Sequence, residues 1–188
     1  MKGILMSIKP KWVKKIASGE KTVEVRKTVP KCGTPFKCYI YVTKDRKNPL
    51  PIEHGKVLEK VNFWENTDAY YGFGKVVGEF VCDRIECLKA PDLPWSDPNG
   101  ERERRICNES CLTFDQIAEY GKGSNLWGWH ISDLKMFEEP KEIKEFHKPC
   151  GMNRPILCYI CRHYSIDFHR CTNYINTPQS WCYVEAEV

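Results

Sequence analysis

The segment "SGEKTVEVRK", Ser18 to Lys27, sets Lys21, Glu24 and Arg26 close together in one short stretch. Two cations and a carboxylate at this spacing can hold an anion. Lys21 offers a point charge, and Arg26 a planar fork that matches phosphate or carboxylate. Glu24 can orient Arg26 or accept from the amino group of a base. A Lys–Glu pair also supplies the two parts of an acid–base couple. The plainer alternative is a solvated strand face, on which an Arg–Glu pair contributes little.

A second concentration of reactive side chains follows later. Cys150, Cys158, Cys161 and Cys171 fall within one short span, with Cys158 and Cys161 forming C-x-x-C. That spacing lets two thiolates grip one tetrahedral ion, and the outer two complete a set of four thiolate ligands. His163 and His169 are reserve ligands. Four protein ligands leave no open position, so the expected zinc is structural, giving shape to residues 147–176, which are polar and poor in core residues. The competing readings are a redox pair, which wants a βαβ context not visible here, and buried free thiols. The chain has 11 cysteines. An odd count without a secretory leader argues against a disulfide framework. Cys32, Cys38, Cys82, Cys87, Cys107, Cys111 and Cys182 read mostly as small core hydrophobes.

Regular elements must position these groups. "GILMSI" (3–8) is a short apolar run and reads as a buried strand. Pro10 then opens an amphipathic helix, with Trp12, Val13 and Ile16 on one face and Gly19 as its stop. "KTVEVRKT" alternates: Val23 and Val25 point one way, Thr22, Glu24 and Arg26 the other, which puts Glu24 and Arg26 about 7 Å apart on one face. Further strands are expected at 36–44, at 75–88 with Gly78 marking a bulge or close approach, at 128–137 and at 179–188. Residues 45–74 read as an irregular excursion around one helical turn, and 90–108 as a surface loop. Thr113 caps a helix over 112–121, and "PKEIKEF" reads as a short helix. Mainly antiparallel strands with few helices predict an α+β fold built on a small barrel, in one domain spanning 1–188.

The pattern G-x-K-x-x-E-x-R, here Gly19, Lys21, Glu24 and Arg26, follows a strand and a Pro-initiated helix that contains Trp12. With "PFKCYIYVTK", "GKVVGEFVCDRI", "CLTFDQIAEY", "GWHISDLKMF" and "PQSWCYVE", the chain resembles the ASCH family of the PUA-like superfamily, in a bacterial, often prophage-encoded branch. The resemblance covers most of the chain except loops 45–74 and 90–106. It implies a partly open β-barrel of five to six mixed strands flanked by helices. It also implies a cleft beside the signature that takes RNA or a modified nucleoside, lined by Lys21, Glu24 and Arg26. Trp12 and Trp129 are candidates for stacking on a base, against the plainer role of core packing. One group of that family is a hydrolase of acetylcytidine, with a lysine base and a threonine nucleophile in K-T-x-T. Lys21 matches the lysine, but Glu24 stands where the second threonine would. Three functions stay open: RNA or nucleotide binding, hydrolysis of a modified nucleoside or RNA with Lys21 and Glu24 as the acid–base pair, and protein interaction. His130 is either a partner in the cleft or an ordinary core or surface histidine.

Charge distribution suggests an anionic partner, unless folding interleaves the two halves and leaves no patch. Residues 1–60 carry 15 Lys/Arg against 5 Asp/Glu, and residues 61–188 carry 14 against 20. The basic half holds the signature. At 41% hydrophobic and 12% aromatic, the chain can build a core and is not expected to be disordered. No apolar run approaches a membrane span, and the N-terminal residues are too quickly basic for a signal peptide, so the expected compartment is the cytoplasm.

Overall fold

The computed structural model describes residues 2–45, 50–58, 70–89, 100–148 and 175–186. In chain order the elements are β1 (Lys2–Ile8), α1 (Pro10–Ala17), β2 (Val23–Arg26), β3 (Phe36–Val42), β4 (Pro51–Glu53), β5 (Lys56–Val57), β6 (Tyr70–Tyr71), β7 (Lys75–Cys82), β8 (Ile85–Lys89), α2 (Glu101–Ser110), α3 (Phe114–Gly121), β9 (Leu126–His130), β10 (Ser132–Glu142), β11 (Phe146–His147) and β12 (Trp181–Ala186). A 3-10 turn at Ile143–Glu145 joins the last of the long strands to β11.

The main sheet has six strands in the order β10-β7-β3-β1-β12-β11. It is mixed, because β1 runs parallel to β3 while its other neighbour, β12, is antiparallel. β10 and β11 are its edges, so it stays open, and with three helices it forms the expected α+β architecture. Alternation along β1 explains the layering. Ile4, Met6 and Ile8 join one core with Val13 and Ile16 of α1, whereas Leu5 packs with Tyr39, Val76, Phe146 and Val184 on the other side. Cys38 and Cys82 are core residues. Burial pushes the Cys82 thiol up to about 12, as expected of a thiol used for packing.

β2, β9 and β8 form a second, antiparallel sheet. A third core lies between it and two helices: Val25 packs with Leu88, Leu126, Ile106 of α2 and Ile117 of α3. Arg26 on the opposite face of β2 reaches the backbone of Ser7 in β1. The strand is therefore covered on both faces, and all four of its residues are buried.

Several expectations are corrected. Residues 101–108, read as part of a loop, belong to α2. Glu101 and Glu103 lie in its first turn, where they complement the helix dipole. The single run expected at 75–88 is two strands, broken at Asp83 and Arg84, and that expected at 128–137 is broken at Ile131. At these corners the chain leaves one sheet for the other. The His130 N–H donates to Arg84 O at 3.1 Å and the Ile131 N–H to Thr22 O at 2.8 Å, which fixes both corners. "PKEIKEF" is the end of β10, the 3-10 turn and the start of β11 instead of a helix. The described parts of the 45–74 excursion pair as a small sheet, β5-β4-β6. Gly78 meets the expectation of close approach: a Cβ there would lie 2.7 Å from Lys135 O.

Candidate functional site

A cavity of about 330 Å3 opens where β2, the end of β1, the start of α1 and α3 converge. Glu24 and Arg26 form its floor. Ser7, Ile8 and Lys9 form one side, Lys11 and Trp12 the next, and Leu112, Gln116 and Tyr120 the side of α3. Thr43 and Gln179 complete the lining with the buried Val25 and Lys21. Leu112 precedes the helix, while Gln116 and Tyr120, four residues apart, share one face of it. The cap at Thr113 sets that face: the Gln116 N–H donates to Thr113 Oγ1 at 3.3 Å, and the Thr113 N–H to Gln116 Oε1 at 3.0 Å.

Lys21, Glu24 and Arg26 are one buried network. Lys21, expected to line the cleft, is only 2% exposed. Its ammonium donates to Val23 O at 2.8 Å and Ser110 O at 2.7 Å, and lies 3.3 Å from Glu24 Oε2. Two of its donors are thus taken up by carbonyls, and its charge is paired with the Glu24 carboxylate. Glu24 Oε1 lies 3.1 Å from Arg26 Nη2, and that nitrogen also donates to Ser7 O at 2.7 Å. Arg26 Nη1 reaches Ser180 Oγ at 3.3 Å. Two atoms of the network stay without a hydrogen bond: Glu24 Oε2, which has only the ion pair, and Arg26 Nε. The solvated-face alternative is excluded by this burial. A carboxylate held between two cations keeps a buried seam charge-balanced to within one positive charge, and truncating either partner would leave an uncompensated charge.

The two tryptophans part company. Trp12 is half-buried on the cavity wall, with Lys11 Nζ 4.4 Å and Lys21 Nζ 5.3 Å from its ring centroid. Trp129 is 0% exposed, packed edge-on against Phe36 at 5.5 Å and tilted against Trp181 at 5.6 Å. It is a core residue and takes no part in the cavity lining; its contribution to the site is the backbone pairing of β9 with Glu24 in β2. His130 is likewise away from the cavity. Its Nδ1 pairs with Asp83 Oδ1 at 2.6 Å. Desolvation opposes ionisation of Asp83, but His130, the Arg84 charge and a backbone hydrogen bond together hold the carboxyl below its usual range.

Tyr120, Gln116 and Ser7 are site residues that sequence reasoning misses. Tyr120 stands at helical spacing from the buried Ile117, but it is 41% exposed and lines the cavity. Desolvation pushes its phenol above the ordinary range, against the pull of Arg26. The i, i+4 spacing of Gln116 and Tyr120 is the available signal. Cys150, Cys158, Cys161 and Cys171, with His163 and His169, lie outside the described residues. Among the described residues no cluster of His, Cys, Asp and Glu is placed to hold a metal. No helix among them is long and apolar enough to cross a membrane.

Solved structures similar to this chain include ASCH from Zymomonas mobilis, at 19% sequence identity over 75% of this chain and 73% of that one, with a TM-score of 0.49. A tyrosine-to-phenylalanine mutant of the Zymomonas mobilis protein matches at 18% identity, over 75% of this chain and 76% of that one, again at 0.49. A serine-to-alanine mutant matches at 19%, over 74% and 73%, at the same score. No family model and no curated protein matches the chain.

Proposed function

We propose that the chain binds RNA or a nucleotide-like ligand in the cavity over β2, as an ASCH-type module. The observation that carries this reading is the charge of the lining. Lys9, Lys11, Lys21 and Arg26 face the cavity against the single carboxylate of Glu24. Such a concave, partly desolvated, positive wall concentrates anions. Its volume falls at the low end of the roughly 300–1,000 Å3 typical of small-molecule sites, which suits one nucleotide better than a duplex. The Arg26 guanidinium is already held by Ser7 and Glu24, with its Nε buried and unpaired, so the fork beside the cavity is ordered in advance of a phosphate. Trp12 supplies the face for a base once the exposed Lys11 swings aside.

Lys21 contributes charge and holds the wall. Two of its donors are committed to backbone carbonyls and its charge to Glu24, which favours binding over the acid–base role. One observation supports the hydrolase reading: Glu24 Oε2 is buried beside Lys21 and accepts no hydrogen bond. Turnover of an acetylated nucleoside or a short RNA, abolished by Glu24→Gln, would support it. A zinc held by Cys150, Cys158, Cys161 and Cys171 would be structural and would take no part in this chemistry.

Arg26→Lys tests the binding reading. It keeps the charge but loses the planar fork. RNA affinity should fall by about 1.5–3 kcal/mol, roughly ten- to a hundredfold, measured by titration of short single-stranded RNA. Unchanged affinity would remove Arg26 from the site, and a nuclease-insensitive pull-down of a protein in its place would favour an interaction module.

A further inference from the structure

The cavity does not end at Tyr120. Beyond that ring lies a shallower groove of about 400 Å3, lined by Lys27, Gln116, Glu119, Tyr120 and Lys122. Gln116 and Tyr120 line both spaces, so the two form one surface divided by side chains of α3. Lys27 Nζ sits 5.1 Å from the centroid of the Tyr120 ring. Among the described residues, neither Lys27 nor Lys122 forms an ion pair. Lys122 holds the left-handed position after α3, at φ 42, where glycine would be less strained.

We infer that this groove is a second subsite for the adjoining phosphate and sugar of single-stranded RNA, so that the cavity takes a nucleotide within a chain and not a free nucleoside. The inference rests on the reading of the first cavity as a nucleotide site. Lys27 and Lys122 hold the phosphate as two mobile point charges. Glu119, the one acid on this wall, accepts from a ribose 2′-hydroxyl, a donor that DNA lacks. The exposed part of the Tyr120 ring offers a second stacking face beyond Trp12. A single strand is required, because bases in a duplex cannot splay into two successive recesses.

The test is a length series. The probes are the four nucleoside monophosphates and single-stranded oligoribonucleotides of increasing length, titrated across a salt series. Wild type should bind a di- or trinucleotide at least about tenfold more tightly than a monophosphate, as one added charge-assisted contact allows. The double variant Lys27→Gln/Lys122→Gln should lose that gain while binding monophosphates as wild type does. Its plot of log affinity against log salt should be shallower by roughly 0.7, for the one phosphate no longer neutralised. Monophosphate binding with no gain from length overturns the second subsite alone. So does a double variant that weakens monomers and oligomers equally. No binding of any probe by wild type overturns the nucleotide reading and the inference with it. An acidic peptide that binds more tightly than RNA and loses affinity in the double variant would reassign the groove to a protein partner.

Discussion

The ammonium of Lys21 donates to the carbonyl of Ser110 at 2.7 Å, across 89 positions of sequence. Ser110 is the last residue of α2, where carbonyls lack intrahelical partners and the dipole favours a cation. One side chain therefore ties a helix to the strand that floors the cavity. Lys21→Met should cost about 3–5 kcal/mol, because Glu24 and two carbonyls lose a buried partner. Lys14→Met, on the exposed side of α1, should stay within about 0.5 kcal/mol. Urea unfolding of both variants checks this, and a loss at Lys21 no larger than at Lys14 would show that the network holds nothing together.

Trp12 and Trp129 should separate binding from folding. Trp12→Leu keeps an apolar contact and removes the ring face, so nucleotide affinity should drop by about 1–3 kcal/mol. Trp129→Ala should leave the cavity's chemistry untouched but cost about 3–5 kcal/mol of stability. The paired measurement is ligand titration beside thermal unfolding. Wild-type affinity in the Trp12 variant would remove stacking from the account.

Acid should loosen the join between α2 and β8. Arg105 makes two parallel bonds to Glu86, each of 2.9 Å. The bond from Arg105 holds the Glu86 carboxyl below its ordinary 4.5. A depressed carboxylate contributes stability that is present above its ordinary value and lost as pH falls through its lower folded value. The pair is partly exposed, so the contribution is about 0.5–1 kcal/mol after screening. Glu86→Gln should lower stability by that amount at neutral pH and flatten the acid limb of the profile. Urea midpoints at neutral and acid pH read it, and an acid limb identical to wild type would assign the sensitivity elsewhere.

Zinc should copurify in a one-to-one ratio with protein isolated without chelator, as a closed set of thiolate ligands requires. Cys158→Ser and Cys161→Ser should abolish its retention, while the cores around Ile4, Leu5 and Val25 survive as judged by circular dichroism. Metal-free protein with Cys150, Cys158, Cys161 and Cys171 all freely alkylated would dismiss the metal.

Local signals carry much of the fold. The apolar run of β1, Pro10 and Gly19 around α1, the alternation of β2 and the Thr113 cap all depend on neighbours a few residues away. α2 is hidden because only Ile106 and Ser110 of its ten residues are buried. Its support comes from afar, from Arg102 donating to Cys87 O at 2.6 Å and Arg105 pairing with Glu86. The corners at Asp83 and Ile131 are equally illegible, since each is set by a backbone partner on another strand. Of the site, alternation places Glu24 and Arg26 on one face correctly. That this face is buried, and that Lys21 is buried more deeply than either, depends on β1 and Ser110 packing against it.

The arrangement of β1 against β12 has a temporal consequence. Ser7 Oγ donates to Pro178 O at 2.6 Å, the Ser7 N–H to Ser180 O at 2.9 Å, and Arg26 leans on Ser180. The signature is therefore translated early, but its pocket closes only after residues 178–180 have left the ribosome. A nascent chain carrying Lys21, Glu24 and Arg26 would still lack Gln179 at the rim and the Ser180 partner of Arg26, so the complete pocket for a ligand is available only once that segment is in place.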